Sequence, residues 1–109
     1  MPNFSVSRLA FTDCFEVLDR AMAEQHGVRF PFPNEGAARH FRARLNHARV
    51  LDRRDNAEVY EDPSHPLHGH SVYDAIIIKL RLIAEKWYLV LEKTDQVPFT
   101  IEPLEEGNA

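Results

Sequence analysis

The run from Ala75 to Lys93 restricts the folds open to this chain more than any other segment. It reads Ala75-Ile76-Ile77-Ile78-Lys79-Leu80-Arg81-Leu82-Ile83, then Ala84-Glu85-Lys86, then Trp87-Tyr88-Leu89-Val90-Leu91-Glu92-Lys93. β-Branched and aromatic residues dominate both halves, and Lys79 and Arg81 alternate with Ile78, Leu80 and Leu82, the period of two of a half-buried strand. The pattern favours a hairpin turning at Ala84-Glu85-Lys86. A single long helix is the alternative, because Ile76, Ile77, Leu80, Ile83, Ala84, Trp87 and Leu91 also fit one helical face and Ser71 with Asp74 would form a capping box.

Two segments upstream carry the helical period. From Thr12 to about His26, Phe11, Phe15, Leu18 and Met22 with Cys14 and Ala21 form an apolar face. Asp13, Glu16, Arg20 and Glu24 form a mostly acidic stripe, Asp13 and Glu16 read as a variant capping box, and Gly27 ends the helix. Pro31 and Pro33 exclude helix from Val28 to Pro33 and hold Phe30 and Phe32 extended, so that the two rings anchor a linker. Asn34 is a good N-cap for a second helix running to about Arg54, with Ala37, Ala38, Phe41, Leu45 and Ala48 on its buried side. Phe4, Val6 and Leu9 allow a short edge strand at the start. Residues 55–71 read as a polar loop, with turns at Asp62-Pro63, His65-Pro66 and Gly69. Phe99 to Leu104 would add a third strand, and residues 105–109 a frayed tail. The expected fold is α+β: one compact domain over residues 1–109, two helices packed on an antiparallel β meander of three to four strands.

Composition narrows the classes. A chain of 109 residues, 44% of them hydrophobic, supports one small core. Asp74, Lys79, Arg81, Glu85 and Lys86 interrupt the longest apolar stretch, which excludes a cheap membrane span. The first residues lack the basic and apolar regions of a secretory signal, so a cytoplasmic location is expected. A lone Cys14 forms no internal disulfide, and between Asp13 and Phe15 it reads as a buried thiol in an acidic neighbourhood rather than a nucleophile.

The net charge of −4 conceals a segregation. Residues 29–54 hold seven arginines against Glu35 and Asp52, whereas 55–62 and 95–106 are acidic. Arg39, Arg42, Arg49 and Arg53, with Asn46 between them, recur at three- and four-residue steps and fall on one helical face, a line of roughly 21 Å. Arg44, His40, His47 and Arg54 lie on a third side. Guanidinium forks suit phosphates and guanine edges, and Asn46 suits adenine, which makes Arg49 and Asn46 the expected base contacts in a major groove. Lys79, Arg81 and Lys86 with Tyr88 would extend this footprint on the outer face of the hairpin, and an exposed Tyr88 or Trp87 could stack on a single strand. The competing reading pairs the arginines with Asp13, Glu16 and Glu24 of the first helix, a surface arrangement of little energetic weight.

His65, His68 and His70 sit at short spacings, but Pro66 and Gly69 break the geometry that would aim their rings together, so a histidine-bearing loop is expected and no metal site. Asp74 reads as a cap at the strand entry rather than a general base. No glycine-rich phosphate loop, nucleophile elbow or catalytic triad is present, so neither an enzyme nor a cofactor is expected. Phe41-Arg-Ala-Arg-Leu-Asn-His-Ala-Arg49, followed by Tyr73-Asp74 opening an Ile-rich strand, resembles small uncharacterised proteins of bacteriophages and mobile elements. The resemblance implies nucleic acid or a host protein as partner and assigns no residue a role. Two functions are therefore expected to compete: a non-enzymatic nucleic-acid-binding module using Arg39, Arg42, Asn46, Arg49, Arg53, Lys79 and Arg81, and a protein-interaction module or inhibitor using the acidic segments at 55–62 and 95–106. A homodimer is compatible with either.

Overall fold

A computed structural model describes residues 6–93. A helical turn α1 (Val6–Leu9) leads into α2 (Thr12–Ala23), followed by strand β1 (Val28–Phe32), the long helix α3 (Glu35–Val59), a 3₁₀ turn (Val72–Ala75) and strands β2 (Ile76–Ile83) and β3 (Lys86–Lys93). The chain is α+β, with α2 and α3 packed on one face of a three-stranded antiparallel sheet of order β1-β3-β2. Among the described residues, no helix is long and apolar enough to cross a membrane.

The hairpin forms as its alternation requires. Ile83 pairs with Lys86 across a two-residue turn, and the register runs unbroken to Ile76 opposite Lys93. The capping box of Ser71 and Asp74 also forms, but it caps the 3₁₀ turn at the entrance to β2 rather than a long helix. The third strand comes from Val28–Phe32, the segment expected as a linker. It runs antiparallel to β3 with Phe30 opposite Leu89. Pro31 is compatible with pairing because β1 is an edge strand, where a missing donor facing solvent removes no ladder bond. The strand expected at Phe99–Leu104 lies outside the described residues, as do Phe4 and the 105–109 tail.

Other boundaries shift for local reasons. Val6–Leu9 is helical rather than extended, and the turn that follows, in which Phe11 N–H donates to Arg8 O and the Thr12 hydroxyl donates to Leu9 O, leads the chain into α2. Among the described residues no side chain caps α2: Asp13, inside its first turn, accepts from the Cys14 N–H instead of forming the box with Glu16. That helix stops at Ala23, short of Gly27, which serves the strand entry. Its φ is +97°, and a Cβ there would stand 1.9 Å from Leu91 O, so only glycine fits. Asn34 caps α3 through Ala37 N–H at 2.8 Å. That helix continues five residues past Arg54 because Asp55 and Asn56 find tertiary partners: Asp55 accepts from Arg8 at 3.3 Å, and Asn56 donates to His70 O at 2.6 Å.

The core is small and two-layered. Cys14, Leu18 and Ala21 of α2 and Ala38, Leu45 and Ala48 of α3 are fully buried against Leu89 and Leu91 of β3, with Ile76 and Tyr73 closing one end. Phe30, Phe32, Phe41, Leu80 and Trp87 pack around this centre. The small alanines let α3 approach closely, and Lys93 Nζ donates to Met22 O at 2.9 Å to tie the end of β3 to α2. Ala84 and Glu85 of the hairpin turn both have positive φ, 51° and 64°, with no glycine or asparagine to relieve them. The double substitution Ala84→Asn/Glu85→Gly is expected to raise stability by about 1 kcal/mol, read as a higher denaturant midpoint at unchanged m-value.

Candidate functional site

The arginine stripe lies on one side of α3, as its spacing requires, and half of it is turned into the molecule. Arg53 reaches the turn before β2, where its Nε donates to Asp74 Oδ1 at 3.0 Å and its NH2 group completes a two-pronged pair. Arg49 is half-buried beside it. Its NH1 group donates to Ile76 O at 2.7 Å and to Tyr73 O at 3.2 Å, and its NH2 group donates to Asn46 Oδ1 at 2.7 Å. Burial, then the neighbouring Arg53 charge, lowers the Arg49 guanidinium from its usual value, although a guanidinium stays charged near neutral pH. Its Nε is buried with no hydrogen-bond partner among the described residues. Asn46 is thus engaged with Arg49 through its side-chain oxygen. Arg39 is exposed and pairs along the helix with Glu35 at 2.6 Å. Arg42 makes no hydrogen bond or ion pair with a described residue.

The acidic stripe of α2 meets a different arginine from those of the line. Arg44, on the third side of α3, grips Asp13 at 2.6 Å and 3.0 Å, donates to Ala10 O, and lies over the rings of Phe11 and Phe41. The hydrogen bond from Arg44 holds the Asp13 carboxyl below its ordinary value. Glu24, just past the end of α2, pairs with Arg20 four residues back at 3.8 Å. Asp19 accepts from the Tyr73 hydroxyl, and burial followed by that bond pushes the Tyr73 phenol well up.

Beneath the stripe lies a polar cluster that residue spacing does not announce. Asp52 is 6% exposed and accepts from Arg8 at 2.9 Å, from the Ser71 hydroxyl and, at 3.5 Å, from Asn56. Ser71 in turn accepts from Tyr73 N–H, and Arg8 lies 4.1 Å over the Phe15 ring. The one cue in the sequence is Asp52 itself, a carboxylate in register with Leu45 and Ala48 on the apolar side. Burial, then the neighbouring Asp13 charge, pushes the Cys14 thiol up to about 11, so it stays protonated.

The histidines act within their loop. The His65 ring stacks on Tyr60 at 4.2 Å and its Nδ1 accepts from Leu67 N–H, while His68 Nδ1 bonds Tyr60 O at 2.6 Å. Among the described residues, no three His, Cys, Asp or Glu side chains are grouped to hold a metal ion. In the acidic segment, Asp55 is taken by Arg8 and Asp62 by Ser64, leaving Glu58 and Glu61 exposed. Residues 95–106 lie outside the described residues.

The outer face of the sheet is the remaining concentration of cations. Ile76, Leu89 and Leu91 define the buried face, so alternation places Lys79, Arg81, Lys86, Tyr88 and Val90 on the other. Strand β1 adds Arg29, opposite Val90, and Pro31, opposite Tyr88. Arg29, Arg81 and Lys86 are exposed, and the Arg29 guanidinium stands 5.0 Å from the Tyr88 ring. Lys79 pairs with Glu92 at 2.8 Å. Sequence reasoning misses Arg29, because its segment reads as a linker. This face points away from the helix layer, so it does not continue the Arg39–Arg53 line. Trp87 packs against the core and is not on it.

The chain matches no family model, no curated protein and no solved structure.

The two halves of the stripe should separate in stability measurements. Arg49→Ala removes two bonds to main-chain carbonyls and is expected to cost about 2 to 3 kcal/mol in urea unfolding, against about 0.5 kcal/mol for Arg39→Ala. Burial raises the Asp74 carboxyl, but the Arg53 hydrogen bond and the Ser71 N–H outweigh it, so its folded value lies below 3.8. The stabilisation is therefore complete above the unfolded value and is lost as pH falls through the folded one. The stability gap between wild type and Asp74→Asn is expected to narrow between neutral pH and about pH 3.

Proposed function

We propose that this protein is a non-enzymatic nucleic-acid-binding module whose contact surface is the outer face of the sheet: Arg29, Lys79, Arg81 and Lys86 around Tyr88. The observation that carries the reading is the assembly of four cations from three strands on one face, with Glu92 as the one carboxylate in register among them in the described residues. The sheet holds the backbones of these cations in register, so their charges can reach several phosphates together, and counterion release would drive the association. Arg39 and Arg42 are the stripe residues still available to a polyanion. Arg49, Asn46 and Arg53 contribute by holding the sheet's entrance in place instead of touching a base.

Chemistry other than binding has little to work with at these residues. The Cys14 thiol is buried and protonated, and the Ser71 hydroxyl, Tyr73 phenol and Asp74 carboxyl are all occupied by internal bonds.

With four phosphate contacts, affinity for a labelled oligonucleotide should fall roughly 50- to 150-fold between about 50 and 200 mM salt. Arg29→Glu/Arg81→Glu should weaken binding by about tenfold or more and flatten the salt dependence. Arg20→Glu/Arg54→Glu, which makes the same change in net charge on the helices, should alter it far less. Binding that ignores salt, or that both double variants weaken equally, rejects the reading.

A further inference from the structure

We infer that the ligand of this face is single-stranded nucleic acid, with a base stacked at Tyr88 and phosphates on the cations to either side. The inference rests on the nucleic-acid reading above and concerns which form of nucleic acid the surface accepts.

The register sets out the surface as a grid. Lys79 and Arg29 both stand opposite Val90, one on each outer strand; in the next row Arg81 and Pro31 flank Tyr88. Neighbouring strands lie about 4.8 Å apart, so cations on β1 and β2 are separated by about 10 Å across a central column of Tyr88 and Val90. Lys86 closes the column at the hairpin end. Tyr88 and Val90 thus form an apolar centre between Lys86 and Glu92 on the middle strand, flanked by Arg29 and Pro31 on one side and by Lys79 and Arg81, between Ile77 and Ile83, on the other.

A duplex matches that pattern poorly. Its bases are stacked inside, so the outer surface it offers is sugar and phosphate, and docking would press charged oxygens onto the Val90 side chain and the face of the Tyr88 ring, where only the phenol hydroxyl at the ring's edge donates. Nor does this sheet enter a major groove. A groove about 12 Å wide admits a helix or a two-stranded ribbon, whereas this sheet has three strands backed by two helices. A single strand carries its bases free on one side and its phosphates on the other. It can lay a base on the tyrosine ring and the Arg29 guanidinium, which already stand within cation–π distance, while Lys79, Arg81 and Lys86 take phosphates. Glu92 yields Lys79 to a phosphate by a side-chain rotation, since their ion pair is partly solvated. Recognition of this kind reads the face of a base rather than its edge, so it tolerates sequence.

The test compares a labelled oligonucleotide of about 12 nucleotides with its blunt duplex, by fluorescence anisotropy at one salt concentration. The single strand is expected to bind at least about tenfold more tightly, and Tyr88→Ala to weaken single-strand binding by about 5- to 150-fold while leaving duplex binding unchanged. Tyr88→Phe should retain affinity. Tyr88→Leu, which keeps an apolar side chain between Pro31 and Arg81, serves if the alanine variant is not folded and should also lose single-strand affinity. Equal or tighter binding of the duplex, or full affinity in Tyr88→Ala and Tyr88→Leu while Arg81→Glu weakens binding, overturns the single-strand inference and leaves the nucleic-acid reading standing. Failure of wild type to bind either form overturns both.

Discussion

One buried carboxylate organises the end of the molecule where helices and sheet meet. Asp52 lies on the core side of α3 and is matched by donors from three segments: Arg8 of α1, Asn56 one turn on, and Ser71 from the loop before β2. A charge taken out of water is tolerated when its lone pairs are filled, and removing one partner is then far more damaging than never having had the pair. The carboxylate therefore fixes where the 60–71 loop returns to the helices. Through Ser71 it also fixes the 3₁₀ turn, because the same hydroxyl accepts the Tyr73 N–H and the capping box with Asp74 depends on it. Where that turn ends, β2 begins, and a strand displaced by one residue exchanges its two faces. Lys79 and Arg81 point outward because Ile76 is held inward.

The arginines divide along the same line. Arg8, Arg44, Arg49 and Arg53 each join segments far apart in sequence, three by salt bridges to carboxylates of another element and Arg49 chiefly through carbonyl oxygens, with Arg8 adding a ring contact. A core this small leaves much of the layer-to-layer contact to polar clamps at its margin. The fold thereby absorbs charge that a reading of the helix alone assigns to a partner. Charge that the fold does not absorb lies on the outer sheet face and at Arg39, Arg42 and Arg54 of α3.

How much of this can be read from residues follows from how local each cause is. The hairpin, the α2 core face and the Asn34 cap are legible, because alternation, 3.6-residue periodicity and a capping side chain act within a few positions of one another. Strand β1 is not: Pro31 excludes helix, but only the edge position beside β3, more than fifty residues away in sequence, makes Val28–Phe32 a strand. The stripe's geometry is legible and its partners are not, since Arg53 meets Asp74 and Arg49 meets Tyr73 and Ile76 more than twenty residues on. Asp52 is one acid among arginines in the sequence, and only the Ser71 loop folded over it gives it a distinct place. The alternation of Lys79 and Arg81 puts them on an outer face, while Arg29 joins it by a pairing that no local pattern contains.

An acidic chain with a basic face is physically consistent. Charges separated by more than about 8 to 10 Å are largely screened at physiological ionic strength, so a strand bound as proposed would respond to the cations within reach and little to the net charge of −4. Exposed acids at Glu16, Glu24, Glu58 and Glu61 belong to the helices and the loop that follows them, not to the outer sheet face. On the proposed reading, their repulsion would act on approaches from the other side and turn an incoming polyanion toward the sheet. A uniformly basic domain gains affinity from any orientation, whereas on the proposed reading this distribution would favour one face, where Tyr88 would give a base its place to stack.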